Sequence, residues 1–327
     1  MIVSSAPLRI SFCGGGTDYK NYFQKYGGSV IGTAINQRVY VFVNPLSKFS
    51  DENIRFTYRI TESVNEINSI NHPVVRAALQ ELEIHEKINI ATMSDVPGNS
   101  GLGSSSSFTV ALIGGLAKFK NVALTKSEIV NLAYKIERVL LKEAGGVQDY
   151  LHATYGSFRH YKINKDGSVD NRELIYPELK TLIERRVTLI RFGESRLSSQ
   201  YAQMTNHAPF NMSGLDALHN NLRITEEALS NLDCHSEVEM LYLDIADSVS
   251  KNWKLKKVFQ PGGIPNDLEA IELELKKFGL IAMKLCGAGK SGYLLAFFSG
   301  DVPRERIGED RLLDFKLSLT GLSVMEY

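Results

Sequence analysis

The loop between residues 97 and 108 has the composition of an anion-binding turn. It contains the letters PGNSGLGSSSSF, so Gly98, Gly101 and Gly103 precede four serines, and an apolar run follows. The first turn of a helix has unpaired backbone N–H groups and a partial positive charge, and glycines let an anion approach them without a Cβ in the way. Serine hydroxyls add donors or a ligand for Mg²⁺. The pattern predicts a phosphate-binding loop; the alternative is a flexible Gly/Ser loop with a serine N-cap.

Two acidic residues are candidates for the chemistry that a bound phosphate implies. Glu137 lies within a helical pattern, and Asp149 follows a Gly-Gly pair twelve residues later. Phosphoryl transfer needs a carboxylate near the attacking hydroxyl and Mg²⁺ to neutralise the phosphates. Taken alone, Glu137 fits a solvated helix face and Asp149 fits a turn or an N-cap.

The stretch SFCGGGTDY, residues 11–19, places three consecutive glycines before Thr17, Asp18 and Tyr19. Glycines contribute little to a core and cost folding entropy. Three glycines here indicate that a ligand or another part of the chain lies directly against the main chain, next to the carboxylate of Asp18.

Another glycine cluster, GAGKSG at residues 287–292, has part of the pattern of a P-loop. A P-loop requires G-x-x-x-x-G-K-[ST], followed by a helix. The first glycine would fall at position 284, which is Lys284, and the strand-like run YLLAFF follows the cluster. The sequence therefore excludes a P-loop and leaves two interpretations, a tight hairpin turn or a glycine turn packed against a ligand or another lobe.

The composition excludes several classes of protein. The chain has 327 residues, of which 43% are hydrophobic and 23% charged, as in ordinary soluble globular proteins. Its 37 basic and 37 acidic residues leave no net charge to hold nucleic acid. The three cysteines, Cys13, Cys234 and Cys286, have no zinc spacing and predict no disulfide framework. No apolar run approaches the ~20 residues that span a bilayer. The first ten residues are too few and too polar for a signal peptide, so we expect a cytoplasmic protein.

Hydrophobic periodicity predicts a mixed α+β protein. Strand patterns lie in the first 45 residues and at residues 87–93, 185–193 and 280–298. Helical patterns occupy residues 72–82, 107–119, 125–143, 213–231, 236–258 and 265–279. Thr125 and Glu128 match a capping box before the third helix. We expect two packed lobes, of which the second begins between residues 155 and 185.

Three motifs resemble, in order, those of the GHMP kinases, the family of galactokinase, homoserine kinase, mevalonate kinase and phosphomevalonate kinase. APLRISFCGGGTDY resembles the family's N-terminal substrate motif, PGNSGLGSSSS its ATP-phosphate loop, and KLCGAGKSGYLL its C-terminal glycine motif. In the third motif Lys290 and Ser291 stand where glycines are usual. The resemblance covers residues 3–298. It implies an α+β fold with an N-terminal lobe like ribosomal protein S5 domain 2 (1–170) and a ferredoxin-like C-terminal lobe (171–327), with ATP and substrate between them.

The resemblance also implies roles for individual residues. Ser105 and Glu137 match the two Mg²⁺ ligands, Asp149 matches the aspartate that polarises the attacking hydroxyl, and Arg9 matches the cation beside it. A fixed cation would keep Asp149 ionised and offset charge on the transferred group. The implied ATP-binding residues are Pro97, Gly98, Ser100, Gly101, Leu102, Gly103, Ser104, Ser105 and Ser106.

The acceptor is implied by the first motif. Sugar kinases of the family have Thr-Asp-Tyr after their first glycine-rich stretch, and this aspartate, here Asp18, accepts hydrogen bonds from sugar hydroxyls. The implied substrate-binding residues are Gly14, Gly15, Gly16, Thr17, Asp18, Gly287, Ala288 and Gly289. The triple glycine resembles the D-glycero-D-manno-heptose 7-phosphate kinases. A kinase for free fucose or galactose and a non-catalytic sugar- or nucleotide-binding homologue are the alternatives.

A sugar phosphate needs cations for its distal phosphate. The candidates are Arg159, Lys162, Arg191 and Arg196. Among them the stretch RFGESRLSSQ (191–200) is preferred, although a solvated loop is the more usual interpretation of such a stretch. The expected partners are ATP, Mg²⁺ and a sugar phosphate, without nucleic acid or membrane, and a homodimer is left open.

Overall fold

The computed structural model describes residues 1–98, 100–193, 212–259, 268–287 and 292–327. The strands within these ranges are β1 (Ile2–Cys13), β2 (Gly28–Pro45), β3 (Ile54–Thr57), β4 (Thr61–Val64), β5 (Ile88–Ser94), β6 (Phe158–Ile163), β7 (Val169–Glu173), β8 (Val187–Phe192), β9 (Leu280–Leu285), β10 (Gly292–Phe298), β11 (Leu312–Leu313) and β12 (Ser323–Glu326). The helices are α1 (Lys20–Tyr26), α2 (Pro73–Glu81), α3 (Ser104–Phe119), α4 (Lys126–Tyr134), α5 (Gln148–Tyr155), α6 (Pro177–Arg186), α7 (Met212–Cys234), α8 (Val238–Phe259), α9 (Leu268–Lys276) and α10 (Arg304–Ile307).

The first sheet is organised around β2, a strand of 18 residues. One end of β2 pairs with β6 and the other end with β5, while β1 runs antiparallel along the opposite edge. The strand order is β12-β1-β2-β5-β3-β4, and β6 and β7 branch from β2. The pairs are antiparallel except β3–β5. The long central strand thus holds both β1, which carries Arg9, and β6, which follows α5.

The second sheet has the order β11-β8-β10-β9 and is antiparallel. Helix α8 packs on β9 and against α6 and α7. β9 and β10 form a hairpin, as the rejection of a P-loop predicted. The two sheets divide between Glu173 and Val187, but β12 returns to the first sheet. The lobe boundary at residues 170/171 stays a prediction, and the sheet pairing assigns the tail to the first lobe.

The two sheets share one hydrophobic core. Ile10 and Phe12 of β1 lie in the same buried cluster as Leu189 of β8 and Phe297 of β10. The Phe12 and Phe297 rings meet edge to face with centroids 6.0 Å apart. Because β1 contributes side chains to the contact between the sheets, Arg9 is held at the junction. The predicted α+β class with two packed lobes is confirmed.

The predicted helices are confirmed, with one informative difference. Thr125 and Glu128 form the expected capping box. The helix predicted over residues 125–143 instead changes at Lys135 into a π-helical segment, Lys135–Leu140, in which the Leu141 N–H donates to the Ile136 carbonyl. A π segment inserts a residue into the helical register, and here it carries the buried Glu137. The short helix α1, within a region predicted as strands and turns, was not expected.

The C-terminal tail packs on the C-terminal end of α5. β12 pairs with β1, and the segment before it crosses α5 where Gly321 packs on the Thr154 carbonyl and the Gly156 nitrogen. A Cβ on Gly321 would overlap both groups. The tail therefore braces the helix that begins with Gln148 and Asp149.

Among the described helices, none combines the length and the apolar character that crossing a membrane requires.

We predict that Gly321→Ala lowers the thermal stability, because its Cβ would overlap the Thr154 carbonyl and force the tail away from α5. Overpacking of this kind costs about 1–3 kcal/mol. Gly300→Ala is the matched control, since a Cβ there meets nothing within 4 Å. Thermal unfolding of the two variants and the wild type decides the point. Equal melting temperatures for Gly321→Ala and Gly300→Ala would show that the tail contact is not tight.

Candidate active site

An open cleft of about 270 Å³ lies between the two sheets. It forms where the end of β1, the starts of α3 and α5, and the end of β9 meet. Nine of the predicted site residues line it. They are Arg9, Gly15, Gly16, Gly101, Gly103, Ser104, Ser105, Asp149 and Gly287.

The central interaction of the cleft is a bidentate ion pair between Arg9 and Asp149. Arg9 Nε lies 2.7 Å from Asp149 Oδ1 and Arg9 Nη2 lies 3.0 Å from Oδ2, while Nη1 donates to the Gly101 carbonyl at 2.7 Å. The Arg9 side chain is 8% exposed and that of Asp149 is 22% exposed. Burial opposes the charge on Arg9, but the Asp149 carboxylate outweighs it and raises the pKa of the guanidinium. Arg9 thus fixes a carboxylate at the wall of the cleft, as predicted.

The serine loop is built as the start of α3. Gly103 is the N-cap residue with a φ of +80°, a conformation that favours glycine, and Ser104 and Ser105 open the first turn. Leu102 is buried and its carbonyl accepts the Arg9 N–H at 2.9 Å. The first-turn N–H groups therefore face the cleft beside the Arg9–Asp149 pair. Of the other predicted ATP-binding residues, Pro97 and Gly98 line a separate small recess with Ser100, and Ser106 faces inward.

The two lobes contact each other through main-chain atoms of Gly101 in the serine loop and of Cys286 and Gly287 after β9. A Cβ on Gly101 would lie 2.6 Å from the Cys286 carbonyl oxygen, and Gly287 is packed against Gly101 from the other side. Both glycines also have positive φ values, 77° and 65°. The third glycine motif therefore supports the phosphate loop by direct contact. Ala288, Gly289, Lys290 and Ser291 lie outside the described residues.

Glu137 is buried behind the loop and heavily hydrogen-bonded. Its Oε1 accepts from Ser105 Oγ at 3.2 Å and from the Thr109 hydroxyl. Its Oε2 accepts from Ser106 Oγ at 3.2 Å and from Tyr150 Oη at 2.6 Å. The acid side chain is thereby held against the start of α3, and Ser105 connects it to the cleft.

Ser105 and Glu137 have the donor chemistry of a magnesium site. Mg²⁺ takes oxygen ligands at about 2.0–2.1 Å, commonly one or two carboxylates together with substrate phosphates. The separation of 3.2 Å between Ser105 Oγ and Glu137 Oε1 is close to that of adjacent ligands on such an ion. The described residues contain no cluster of three or more acidic, His or Cys side chains that would suit a metal held by protein alone. Ser105 lines the cleft and suits an ion that is shared with phosphates, whereas the buried Glu137 would first have to exchange its hydrogen bond from Ser105 for the ion.

The GGGTD segment is placed differently from the expectation. Gly14 packs on the Ser29 backbone of β2, and Thr17 Oγ1 donates to the Gly14 carbonyl at 2.7 Å, so neither residue lines the cleft. Gly15 and Gly16 do line it. The close approach that the glycines permit is therefore partly to the protein's own second strand.

Asp18 is fully buried and has no surface on the cleft. Its Oδ1 accepts the Gly16 N–H at 2.9 Å and its Oδ2 accepts the Gln148 N–H at 3.1 Å, while its carbonyl accepts the Val147 N–H at 3.2 Å. Burial raises the pKa of Asp18, and the two backbone donors oppose that shift. In this arrangement Asp18 does not reach a sugar hydroxyl but ties the glycine loop to the start of α5.

The cations expected to hold a distal phosphate lie away from the cleft. Arg159 is bound to the Gly156 carbonyl, Asn171 and Glu173, and Lys162 is exposed on β6. Arg191 lines the small recess beside Pro97. Arg196 and the rest of residues 194–200 lie outside the described residues.

Sequence reasoning missed several residues that line the cleft. Two of them, Ser11 Oγ and Gln148 Oε1, are buried polar atoms without a partner within the described ranges. Arg138 also lines it and lies 3.5 Å from Glu137 through its Nη2. Lys284 had a signal, a lysine within the apolar strand LIAMKL, whereas Lys256 lies among other lysines and had none. The further unpredicted lining residues are Tyr19, Asn21, Ala144, Gly145, Gly146, Asn252, Phe259 and Cys286.

Comparison with known proteins gives a consistent result. Residues 68–157 match the family model described as the GHMP kinases N terminal domain. A D-glycero-alpha-D-manno-heptose 7-phosphate kinase of Campylobacter jejuni is 28% identical over 309 residues, which are 90% of this chain and 89% of the relative. A mevalonate kinase of Pyrococcus abyssi is 22% identical over 320 residues, covering 92% and 89%.

Solved structures show the same fold. The crystal structure of a D-glycero-D-manno-heptose 1-phosphate kinase from Bacteriodes thetaiotaomicron superposes with a TM-score of 0.78 at 20% identity, covering 100% of this chain and 99% of the other. The GHMP kinase fold expected from the motifs is confirmed. Residues 68–157 thus match the N-terminal domain of the GHMP kinases, the relatives that align over most of this chain are kinases, and the chain has the GHMP kinase fold and is a phosphotransferase.

Proposed function

We propose that this chain transfers the γ-phosphate of ATP to the anomeric hydroxyl of D-glycero-D-manno-heptose 7-phosphate, giving the 1,7-bisphosphate for GDP-heptose synthesis and surface glycans. The observation that carries the proposal is the Arg9–Asp149 pair beside the start of α3 in one cleft. Similarity over 90% of the chain to a heptose 7-phosphate kinase supports the choice of acceptor.

Asp149 acts on the acceptor hydroxyl. Its carboxylate accepts the hydroxyl proton as the oxygen attacks the γ-phosphorus, and the bond from that phosphorus to the bridging oxygen breaks to release ADP. The bidentate contact with Arg9 fixes the direction of the carboxylate at distances of 2.7 and 3.0 Å. The guanidinium also lies near the developing charge, where a fixed cation stabilises the transition state.

The nucleotide phosphates lie at the start of α3. The first-turn N–H groups of Ser104 and Ser105 are unpaired within the helix and carry the positive end of its dipole. Gly103 and Gly101 leave the approach free of side chains. Mg²⁺, when bound by Ser105 and Glu137, would neutralise charge on the phosphate oxygens.

Ser11 and Gln148 are the polar groups that suit the acceptor's hydroxyls. Both have a buried oxygen without a partner within the described residues, and both line the cleft next to Asp149 or Gly15. An unpaired buried polar atom costs free energy that a ligand hydroxyl recovers. Asp18 contributes indirectly. Its carboxylate accepts the Gly16 N–H and the Gln148 N–H, and this fixes both residues at the wall of the cleft.

The proposed function is tested by ADP release with Mg-ATP and a panel of acceptors. The panel contains D-glycero-D-manno-heptose 7-phosphate, mannose, fucose, galactose and mevalonate. Turnover of the heptose phosphate alone supports the proposal. Turnover of a free sugar or of mevalonate instead keeps the kinase and replaces the acceptor, and bound ATP without any turnover favours a non-catalytic role.

We predict that Asp149→Asn lowers kcat by at least ~10²-fold, because the amide cannot accept the hydroxyl proton. ATP affinity, measured by calorimetry, is expected to persist. Asp51→Asn is the control, since Asp51 is exposed and distant from the cleft residues. A kcat within the range of that control would remove Asp149 from the proposed role.

We predict that Asp18→Asn lowers both the melting temperature and kcat. An amide in place of the carboxylate points an N–H at one of two backbone N–H donors, and the unsatisfied buried group costs about 1–3 kcal/mol. Asp166→Asn is the control, because Asp166 also accepts a backbone N–H, that of Ser168, but is exposed. Normal stability with a raised acceptor KM alone would instead indicate direct contact between Asp18 and the sugar.

A further inference from the structure

The charged residues that line the cleft are strongly unbalanced. Arg9, Arg138, Lys256 and Lys284 face a single lining carboxylate, Asp149, so the described lining has four cations and one anion. Two of the cations have acidic partners, since Arg9 is paired with Asp149 and Arg138 lies 3.5 Å from the buried Glu137. The excess positive charge therefore belongs to the two lysines.

Both lysines bind only neutral acceptors within the described residues. Lys284 Nζ donates to the Phe12 carbonyl at 3.1 Å and to Asn252 Oδ1 at 3.0 Å. Lys256 Nζ donates to the Leu285 carbonyl at 3.0 Å and to the Gly287 carbonyl. An ammonium group has three donors, and contacts within the described residues occupy two of them on each lysine, which leaves one N–H of each for a ligand as far as those residues are concerned.

The surroundings of the two ammonium groups favour an anion. Burial, with smaller effects of Lys284 and Arg9 and an opposing effect of Cys286, lowers the pKa of Lys256 to about 7. Burial likewise lowers the pKa of Lys284 to about 8. These charged and titratable groups around the lysines lie on α8 (Lys256), on β9 and just after it (Lys284 and Cys286), and on β1 (Arg9). No carboxylate among the described residues forms an ion pair with either lysine. Isolated buried charges are unfavourable, and a bound anion removes the cost.

A chain of amides fixes Lys284 to the glycine loop. Asn252 Nδ2 donates to Asn221 Oδ1 at 2.7 Å, and Asn221 Nδ2 donates to the Gly15 carbonyl at 2.9 Å. Phe12, which accepts from Lys284, precedes that loop on β1. The lysines thus stand where residues 12–16 meet α8 and β9, and within the described residues Lys256 reaches the serine loop only through Gly287, which packs on Gly101.

We propose that Lys256 and Lys284 form the subsite for the phosphate monoester that the acceptor already carries, with Asn252 as the residue that positions Lys284. The inference rests on the proposed function and assigns the distal phosphate to residues other than Arg159, Lys162 and Arg191. A phosphate monoester offers acceptor oxygens that carry negative charge, whereas a hydroxyl at that place is neutral and would leave the charge of the two lysines uncompensated.

The first test compares Lys256→Met with Lys254→Met. Lys254 is exposed on the same helix and does not line the cleft, so its variant is a matched control for charge and helix position. Loss of a charged hydrogen bond predicts a rise of at least ~10-fold in KM for the heptose phosphate. The KM for ATP and the turnover of the unphosphorylated heptose should be unchanged. Lys284→Met should behave in the same way, and its melting temperature separates misfolding from lost binding.

Two kinetic outcomes would overturn the assignment. A rise in KM for ATP with an unchanged KM for the heptose phosphate would mean that the lysines bind the nucleotide's phosphates. Equal KM values for Lys256→Met and Lys254→Met would mean that Lys256 binds neither.

A binding measurement keeps this test separate from that of the proposed function. Calorimetry at pH 8 without nucleotide, in two buffers of different ionisation enthalpy, gives the protons taken up when heptose 7-phosphate or inorganic phosphate binds. Because pH 8 is above the pKa of about 7 for Lys256, an anion that raises this pKa draws a proton onto the lysine. The uptake should be smaller in Lys256→Met, which keeps only the contribution of Lys284 with its pKa of about 8, and unchanged in Lys254→Met. If binding of either phosphate compound depends on Lys256 but no acceptor is turned over, the proposed function is rejected and the subsite is kept. If the wild-type protein binds neither phosphate compound, the subsite is rejected.

Discussion

One buried guanidinium holds the parts of the cleft in place. Arg9 extends from β1. Its guanidinium donates hydrogen bonds to the Asp149 carboxylate at the start of α5 and to the Gly101 carbonyl of the serine loop. Its own N–H is bound to the Leu102 carbonyl. A single residue therefore sets the position of the Asp149 carboxylate and of the start of α3 relative to the first strand. Lysine has one compact ammonium group and would not make these planar, divergent contacts.

Around this arginine the structure depends on close contact between backbones. Gly101 and Gly287 touch across the two lobes, and Gly292 packs on the Ser100 carbonyl. Asp18 then fastens the other glycine loop to the nitrogen of Gln148. The cleft is consequently made of loops that support one another, with the side chains of Asp149, Ser104 and Ser105 presented from the starts of two helices. Such preorganisation keeps reacting groups in place without side-chain rearrangement.

The sequence predicted what is encoded locally. The capping box at Thr125 and the β9–β10 hairpin each depend on a few adjacent residues, and each was confirmed. Helix α3 was also predicted, but it begins at Ser104, three residues before the predicted start. The motifs also predicted that Arg9 lies beside Asp149, and the two side chains form an ion pair although they are 140 positions apart in the sequence. The burial of Asp18 was not predicted because its partner Gln148 is remote in sequence, and Lys256 was missed because a lysine on a helix surface has no distinguishing pattern. Burial and long-range pairing decide these cases, and neither can be read from spacing.

The return of β12 to β1 has a consequence for how the molecule is made. During translation the other strands of the first sheet leave the ribosome early, yet that sheet lacks the strand of residues 323–326 until the whole second lobe has been made. Until then β1 is an unpaired edge, and exposed edges invite pairing with other nascent chains. The strand that bears Arg9 is thus the last in its sheet to be covered. In a crowded cell this interval is when chaperones would be needed.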